Sequence, residues 1–260
     1  MRSILAFADR TCPKGNWLKT ALSLARMVDG HVSVLIDTPV AQFIPMDVMG
    51  NSYLAADTIR AALEQDDAFA AQLAEHLGHE DVPFDILRCE DDPVYALSEA
   101  ARLADVIVVE RGAPCASELA VTVRGPVLIT PADDLVTFPI TTACIAWDGG
   151  DEAAAAMRAA VPLLTGCGEV HMLTVQEKTV GFPATDAVRY LSRHGIKAEL
   201  HAMERAGAVA ETLAAAVARL DADLLVMGAY GRSRMREFLF GGVTRHFLES
   251  KTAPAVLLAH

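Results

Sequence analysis

A short, continuous apolar strand followed by an Ala/Leu-rich helical stretch recurs along this chain, and the whole series occurs twice. Ile4-Leu5-Ala6-Phe7-Ala8-Asp9 has its counterpart in Ala143-Cys144-Ile145-Ala146-Trp147-Asp148, each a buried strand ending in Asp. Second strands follow at His31 to Ile36 and Glu169 to Val175. Ala104-Asp105-Val106-Ile107-Val108-Val109 matches Ala222-Asp223-Leu224-Leu225-Val226-Met227, and Gly125-Pro126-Val127-Leu128-Ile129 matches Ala253-Pro254-Ala255-Val256-Leu257-Leu258. Strands that are apolar throughout, rather than alternating, belong to parallel sheets covered on both faces. The pattern therefore predicts an α/β chain of two tandem doubly wound, parallel-sheet, Rossmann-like domains, residues 1–135 and 136–260, joined near Pro131 to Pro139.

The two halves differ in where residues have been added and lost. Asp9 and Asp105 are 96 residues apart, whereas Asp148 and Asp223 are 75 apart. The surplus in the first half is expected around Thr38 to Arg60, where Pro39, Pro45, Gly50 and Asn51 read as loop. Asp105 to Pro126 spans 21 residues, but Asp223 to Pro254 spans 31. The second half keeps a glycine-punctuated segment there that the first half lacks.

That segment runs from Met227-Gly228-Ala229-Tyr230-Gly231 through Arg232, Arg234 and Arg236 to Gly241-Gly242-Val243, with the spacing G-x2-G-x9-G. It joins a strand to a helix. Glycines let backbone N–H groups approach an anion closely, and a helix N-terminus adds partial positive charge. Ligands of open α/β sheets sit at the carboxyl edge, where strand order reverses. Asp148 is expected at the same edge, as hydrogen-bond acceptor for a base or sugar or as the turn residue of Asp148-Gly149-Gly150. On spacing alone, a purely structural strand-to-helix loop accounts for these glycines equally well.

Other chemistries find little support. The formal net charge of −12 argues against nucleic-acid binding, and the acidic excess lies in residues 1–135 with 21 Asp and Glu against 10 Lys and Arg. No apolar run reaches the roughly 18–20 residues that a membrane helix needs, and the amino terminus reads as a strand rather than a leader. A cytoplasmic location is therefore expected. Five scattered cysteines read as free thiols, and with no Cys/His cluster at ligand spacing no metal site is expected. His76 and His79 beside Glu75 and Glu80 lack a third ligand at suitable spacing. Glu90, Asp91 and Asp92 before Pro93 read as a helix start. Nothing supplies a nucleophile with an activating base, so little or no catalysis is expected of the chain.

The strand ending in Asp148, the run Ala222 to Gly231, the pair Gly241-Gly242 and the closing Pro254 to Leu258 resemble the universal stress protein family, whose fold is of the adenine nucleotide alpha hydrolase type. The resemblance covers residues 140–260; over residues 1–131 it rests on strand order and Asp9. It implies an adenine-nucleotide site for ATP or a relative, with or without Mg²⁺. Asp148 would lie beside adenine or ribose, and Thr174 or Val175 would line the base pocket. The backbones of Met227, Gly228 and Gly231 would follow ribose and phosphates, near Arg232. Gly241, Gly242 and Val243 would hold the phosphate tail. The ATP-binding pattern has Ser or Thr after its third glycine, and here stands Gly242, a lost hydroxyl worth on the order of 1–2 kcal/mol. The resemblance also implies antiparallel pairing of closing strands, either in a homodimer or, between Val127-Leu128-Ile129 and Val256-Leu257-Leu258, inside one chain. Two other functions are open at this point. One is an interaction module whose acidic first half recruits a protein partner. The other is an adenylate-forming enzyme, which Asp148-Gly149-Gly150-Asp151 disfavours for want of the Ser-Gly-Gly loop such enzymes carry.

Overall fold

The computed structural model describes residues 1–8, 15–38, 56–175, 181–229 and 242–260. In the first half β1 (Ser3–Ala8), α1 (Asn16–Val28), β2 (His31–Asp37), α2 (Ala56–Leu77), β3 (Phe84–Cys89), α3 (Pro93–Ala100), β4 (Val106–Glu110), α4 (Ala116–Thr122) and β5 (Val127–Thr130) follow in order. The second half repeats the plan with β6 (Thr142–Ala146), α5 (Asp151–Leu164), β7 (Glu169–Val175), α6 (Ala184–Arg193), β8 (Ala198–Met203), α7 (Val209–Arg219), β9 (Leu224–Gly228), α8 (Gly242–Glu249) and β10 (Ala255–Ala259).

The ten strands form one sheet, in the order β3-β2-β1-β4-β5-β10-β9-β6-β7-β8. All neighbours are parallel except β5 and β10, which run antiparallel with Ile129 opposite Val256, Leu128 opposite Leu257 and Val127 opposite Leu258. The two halves thus share a single mixed sheet, because the closing strands pair within the chain, one of the two arrangements that the resemblance implied. Each strand sends alternate residues to opposite faces. Ile4, Ala6, Val226 and Leu257 pack under α1, α2, α5 and α6, while Leu5, Phe7, Leu225 and Val256 pack under α3, α4, α7 and α8. Burial on both faces explains why these strands are apolar without alternation.

Asp105 and Asp223, paired in the repeat, do the same work. Asp105 Oδ2 accepts from the backbone N–H groups of Arg2 and Ser3, at 2.6 and 3.0 Å. Asp223 Oδ2 accepts from those of Thr141 and Thr142, at 3.1 and 2.9 Å. Each carboxylate ties the start of its half's first strand to the start of its fourth. Asp92 caps α3, accepting from the N–H groups of Val94 and Tyr95 ahead of Pro93 at the helix start, as the acidic run suggested.

The surplus of the first half is not confined to a loop. α2 is 22 residues long where α6 has 10, so much of the added chain is helix, and residues 39–55 lie outside the described residues. The joint between halves is packed rather than loose. Val136, Phe138 and Ile140 are buried beneath the sheet, Phe138 N donates to Ser23 Oγ and Asn16 Nδ2 donates to Ala132 O. Cys89, Cys144 and Cys167 are free thiols, and burial pushes the Cys144 thiol up to about 12. No helix among the described residues is long and apolar enough to cross a membrane.

Arg111, just after β4, clamps the seam. Its guanidinium donates to Ala253 O at 2.6 Å and to Pro254 O at 2.5 Å, immediately before β10. The second half has Ala229 at the matching position, where its N–H bonds Ala259 O as Arg111 N–H bonds Thr130 O. The clamp therefore exists on one side only. Hydrogen bonds from a charged donor contribute about 1.5–3 kcal/mol each, so Arg111→Ala is expected to lower stability by about 2–4 kcal/mol in urea unfolding. Backbone hydrogen bonds from Ser3, together with that from Arg2, outweigh the opposing effect of burial and hold the Asp105 carboxyl below its usual value. A depressed carboxyl stabilises above its unfolded pKa, near about 4, and that contribution disappears as pH falls through the folded value. Asp105→Asn should lower stability at pH 7 and flatten the acid limb of stability against pH.

Candidate functional site

In each half the strand order reverses between the first and fourth strands, which are β1 and β4 in one half and β6 and β9 in the other. The crevice beyond the carboxyl ends of β6 and β9 is therefore the place where a ligand of this fold sits. Register places Ile145 opposite Val226, and Trp147 N–H bonds Leu173 O at 2.8 Å. The ends of β6, β7 and β9 thus converge, carrying Asp148, Thr174, Val175, Met227 and Gly228 to one edge.

Asp148 is exposed there, and its Oδ1 accepts from Gly150 N–H at 2.8 Å, opening α5. It is a turn residue whose second carboxylate oxygen makes no hydrogen bond among the described residues. Thr174 and Val175 are half-buried at the end of β7. Val175 packs on the α7/α8 face of the sheet, against the same cluster as Met227, Ala146, Met203 and Val243. Met227 is 5% exposed, so only its backbone faces the edge. Gly242 begins α8 and is exposed, and Val243 follows it, half-buried. Gly231, Arg232 and Gly241, with Arg234 and Arg236, lie outside the described residues, as does Asp9 in the first half.

Gly228 has a steric duty that its spacing did not reveal. A Cβ there would stand 2.6 Å from Ala153 N and 2.7 Å from Glu152 C, inside the first turn of α5. The glycine lets β9 pass against the helix, so it shapes the crevice by bringing the α5 N-terminus down to the sheet. Gly242 is the opposite case, since an added Cβ meets nothing within 4 Å.

The first half is built differently at the matching place. Glu110 ends β4 where Gly228 ends β9, and a Cβ on Gly15, ahead of α1, would collide with the Glu110 carboxylate. Glu110 Oε2 is buried and makes no hydrogen bond among the described residues. A carboxylate at the α1 N-terminus occupies the position where an anion would be held. Like charges 4 Å apart repel by about 4 kcal/mol at an effective dielectric near 20.

At the second crevice the sequence analysis read Gly149 only as part of a turn and missed Phe182. Gly149, at φ +74°, carries no side chain because its Cβ would press on Phe182 O at 2.7 Å. Phe182 N–H donates to Gly149 O at 3.1 Å, and Trp147 Nε1 donates to Phe182 O at 3.0 Å. The buried Trp147 is thus core, as expected, and also pins the chain beyond β7 over the β6–α5 turn. The Phe182 side chain is left 61% exposed. The sequence shows Gly181-Phe182-Pro183 as loop, and nothing in its spacing says which turn it covers.

A cavity of about 420 Å³ lies elsewhere, at the amino ends of β6, β9 and β10, lined by Leu135, Thr141, Asp223, His246 and Pro254 among others. It contains none of the residues expected to bind a ligand. His76 and Glu80 do approach, at 3.8 Å, but Glu80 is already paired with Arg26 at 2.5 Å.

This geometry defines an α/β protein of two like-ordered halves, each with a switch point between its first and fourth strands. Residues 140–258 match the model of the universal stress protein family. The fold is similar to that of a universal stress protein from Archaeoglobus fulgidus, with a TM-score of 0.75 and 17% identity over 98% of this chain and 97% of that one. It is also similar to a putative universal stress protein from Pseudomonas aeruginosa, with a TM-score of 0.61 and 17% identity over 100% and 93%. These likenesses extend the common fold across both halves. No curated protein matches the chain.

Overpacking against a fixed backbone costs about 1–3 kcal/mol. Gly228→Ala should therefore lower the urea midpoint clearly, whereas Gly242→Ser should leave it within about 0.5 kcal/mol of the parent.

Proposed function

We propose that the chain binds one adenine nucleotide, ATP or a close relative, in the second-half crevice, and serves as a nucleotide-responsive universal stress protein. Residues 1–135 form a sister unit without a phosphate loop, and residues 136–260 form the binding unit. One contrast carries the reading: at the switch point the second half has Gly228 with an exposed Asp148, and the first half has the Glu110 carboxylate. An anionic ligand fits the one and is repelled by the other.

In this reading Asp148 accepts from the ribose hydroxyls or the base, and Thr174 and Val175 line the base side. The exposed Phe182 ring beside Gly149 offers a surface on which a purine stacks. Backbone N–H groups from Met227 to Gly231 follow the phosphates, Arg232 adds charge, and Gly241, Gly242 and Val243 receive the phosphate tail. Mg²⁺ would accompany ATP as its counter-ion. No residue in these roles is an activated nucleophile, so the unit senses or sequesters nucleotide with at most slow hydrolysis.

A second reading has one observation in its favour. Leu103 is 89% exposed and Tyr95 is 59% exposed, both on the acidic first half. A protein partner docking there would use the fold without a nucleotide.

Equilibrium dialysis with ATP, ADP and AMP separates the two. One site per chain is expected, with Asp148→Ala weakening it about tenfold. Gly242→Ser restores the hydroxyl and should tighten binding by roughly 5–30-fold, the equivalent of 1–2 kcal/mol. Absence of binding at millimolar nucleotide would leave the partner reading standing.

A further inference from the structure

The outer strands of the second half bring four metal-type side chains to one face. Parallel register sets His171 of β7 opposite Glu199 of β8, and Leu173 opposite His201. Residues two apart share a face, so Glu169, His171, Glu199 and His201 stand together. His171 is 6% exposed, an unusual place for a histidine without a purpose. Its Nδ1 lies 3.1 Å from His201 Nε2 and 3.9 Å from Glu199 Oε2, and Glu199 Oε1 lies 3.7 Å from His201 Nε2. One ligand atom from each of His171, Glu199 and His201 falls within 4.8 Å of the others. On the far side of the ring His171 Nε2 is buried, makes no hydrogen bond, and lies 3.4 Å from Glu169 Oε2.

We propose that His171, His201 and Glu199 bind a divalent transition-metal ion, zinc foremost, with Glu169 orienting His171. Two nitrogens bound to one tetrahedral zinc at about 2.05 Å stand about 3.3 Å apart, close to the separation seen between the two imidazoles. Two imidazoles and a carboxylate are a borderline-soft donor set that favours zinc over magnesium or calcium. A ligating histidine donates its other ring N–H to a carboxylate, and Glu169 stands where His171 Nε2 needs that acceptor. The fourth position opens to solvent, since Glu199 and Glu169 are both well exposed. An ion here cross-links β8, the outermost strand of the sheet, to β7 from the face opposite α6.

The first half supplies an internal control. Its matching positions are His31, Ser33, Asp85 and Leu87, in the same register on β2 and β3. There Asp85 Oδ1 pairs with His31 Nε2 at 2.7 Å and accepts from Ser33 Oγ at 2.6 Å. Neither His171 nor His201 has a histidine as its counterpart, since Ser33 and Leu87 stand there; the one imidazole, His31, occupies the position of Glu169 and is paired with Asp85.

The test uses the full chain, free of affinity tag and stripped with chelator, titrated with zinc by calorimetry and with cobalt(II) by visible absorption. Wild type should take up one ion per chain, with tetrahedral cobalt bands and no thiolate charge-transfer band. His201→Ala and Glu199→Gln should lose the saturable isotherm while their metal-free melting temperatures stay near wild type, and His31→Ala should bind as wild type does. Glu169→Gln should weaken binding by about 10–100-fold. Absence of saturable binding by wild type, equal binding by His201→Ala, or a thiolate band placing the ion at Cys167 would each overturn the site.

Discussion

The antiparallel pairing of β5 with β10 is the contact on which the rest of the molecule depends. Each half ends in a strand with all residues buried, and Val127, Leu128, Ile129, Val256, Leu257 and Leu258 are each at most 1% exposed. Removing such side chains from water stabilises by about 1.5–3 kcal/mol apiece. A strand of this kind left at a sheet edge would recruit another chain. Meeting within one chain, the two edges remove each other and set the halves about an approximate twofold axis. Arg111 and the packed residues 136–140 then fix that arrangement from one side.

The shared plan makes the differences between halves informative. The tie made by Asp105 and Asp223 is common to both, because each first strand needs its opening N–H groups satisfied. The switch-point crevice is not common. Gly228 brings the α5 N-terminus against β9, whereas Glu110 places a carboxylate by the α1 N-terminus. The two copies of the switch point therefore differ at the ends of β4 and β9, as well as in the glycine-punctuated segment that only the second half carries.

The same logic applies at the outer strands. His31, Ser33 and Asp85 close their polar contacts among themselves. His171 and His201 leave two nitrogens facing each other beside carboxylates. Ser33 and Leu87 stand where His171 and His201 do, and His31 where Glu169 does, so the first half has no pair of facing imidazoles. The switch-point crevice lies at the carboxyl ends of the strands and the paired histidines lie along β7 and β8, so the two have separate side chains.

Much of this was legible in the sequence. Strand type, strand repetition and the Asp105/Asp223 match follow from local composition, because a strand buried on both faces must be apolar throughout. The edge shared by Asp148, Thr174, Val175, Met227 and Gly228 follows from strand order. Other features depend on chain segments far apart in sequence. The extent of α2, the contact of Gly149 with Phe182, the reach of Arg111 to Ala253 and Pro254, and the Glu110 carboxylate beside Gly15 are of this kind. So is the meeting of His171 with His201, thirty residues apart, which only the β7–β8 register creates and which no ligand spacing along the chain announces. The sequence by itself determined the layers, the repeat and the candidate edge, since these rest on periodicity and hydrophobicity. Tertiary structure decided between the two possible pairings of the closing strands and settled which side chains stand face to face, since register and close packing belong to pairs of segments and not to either one.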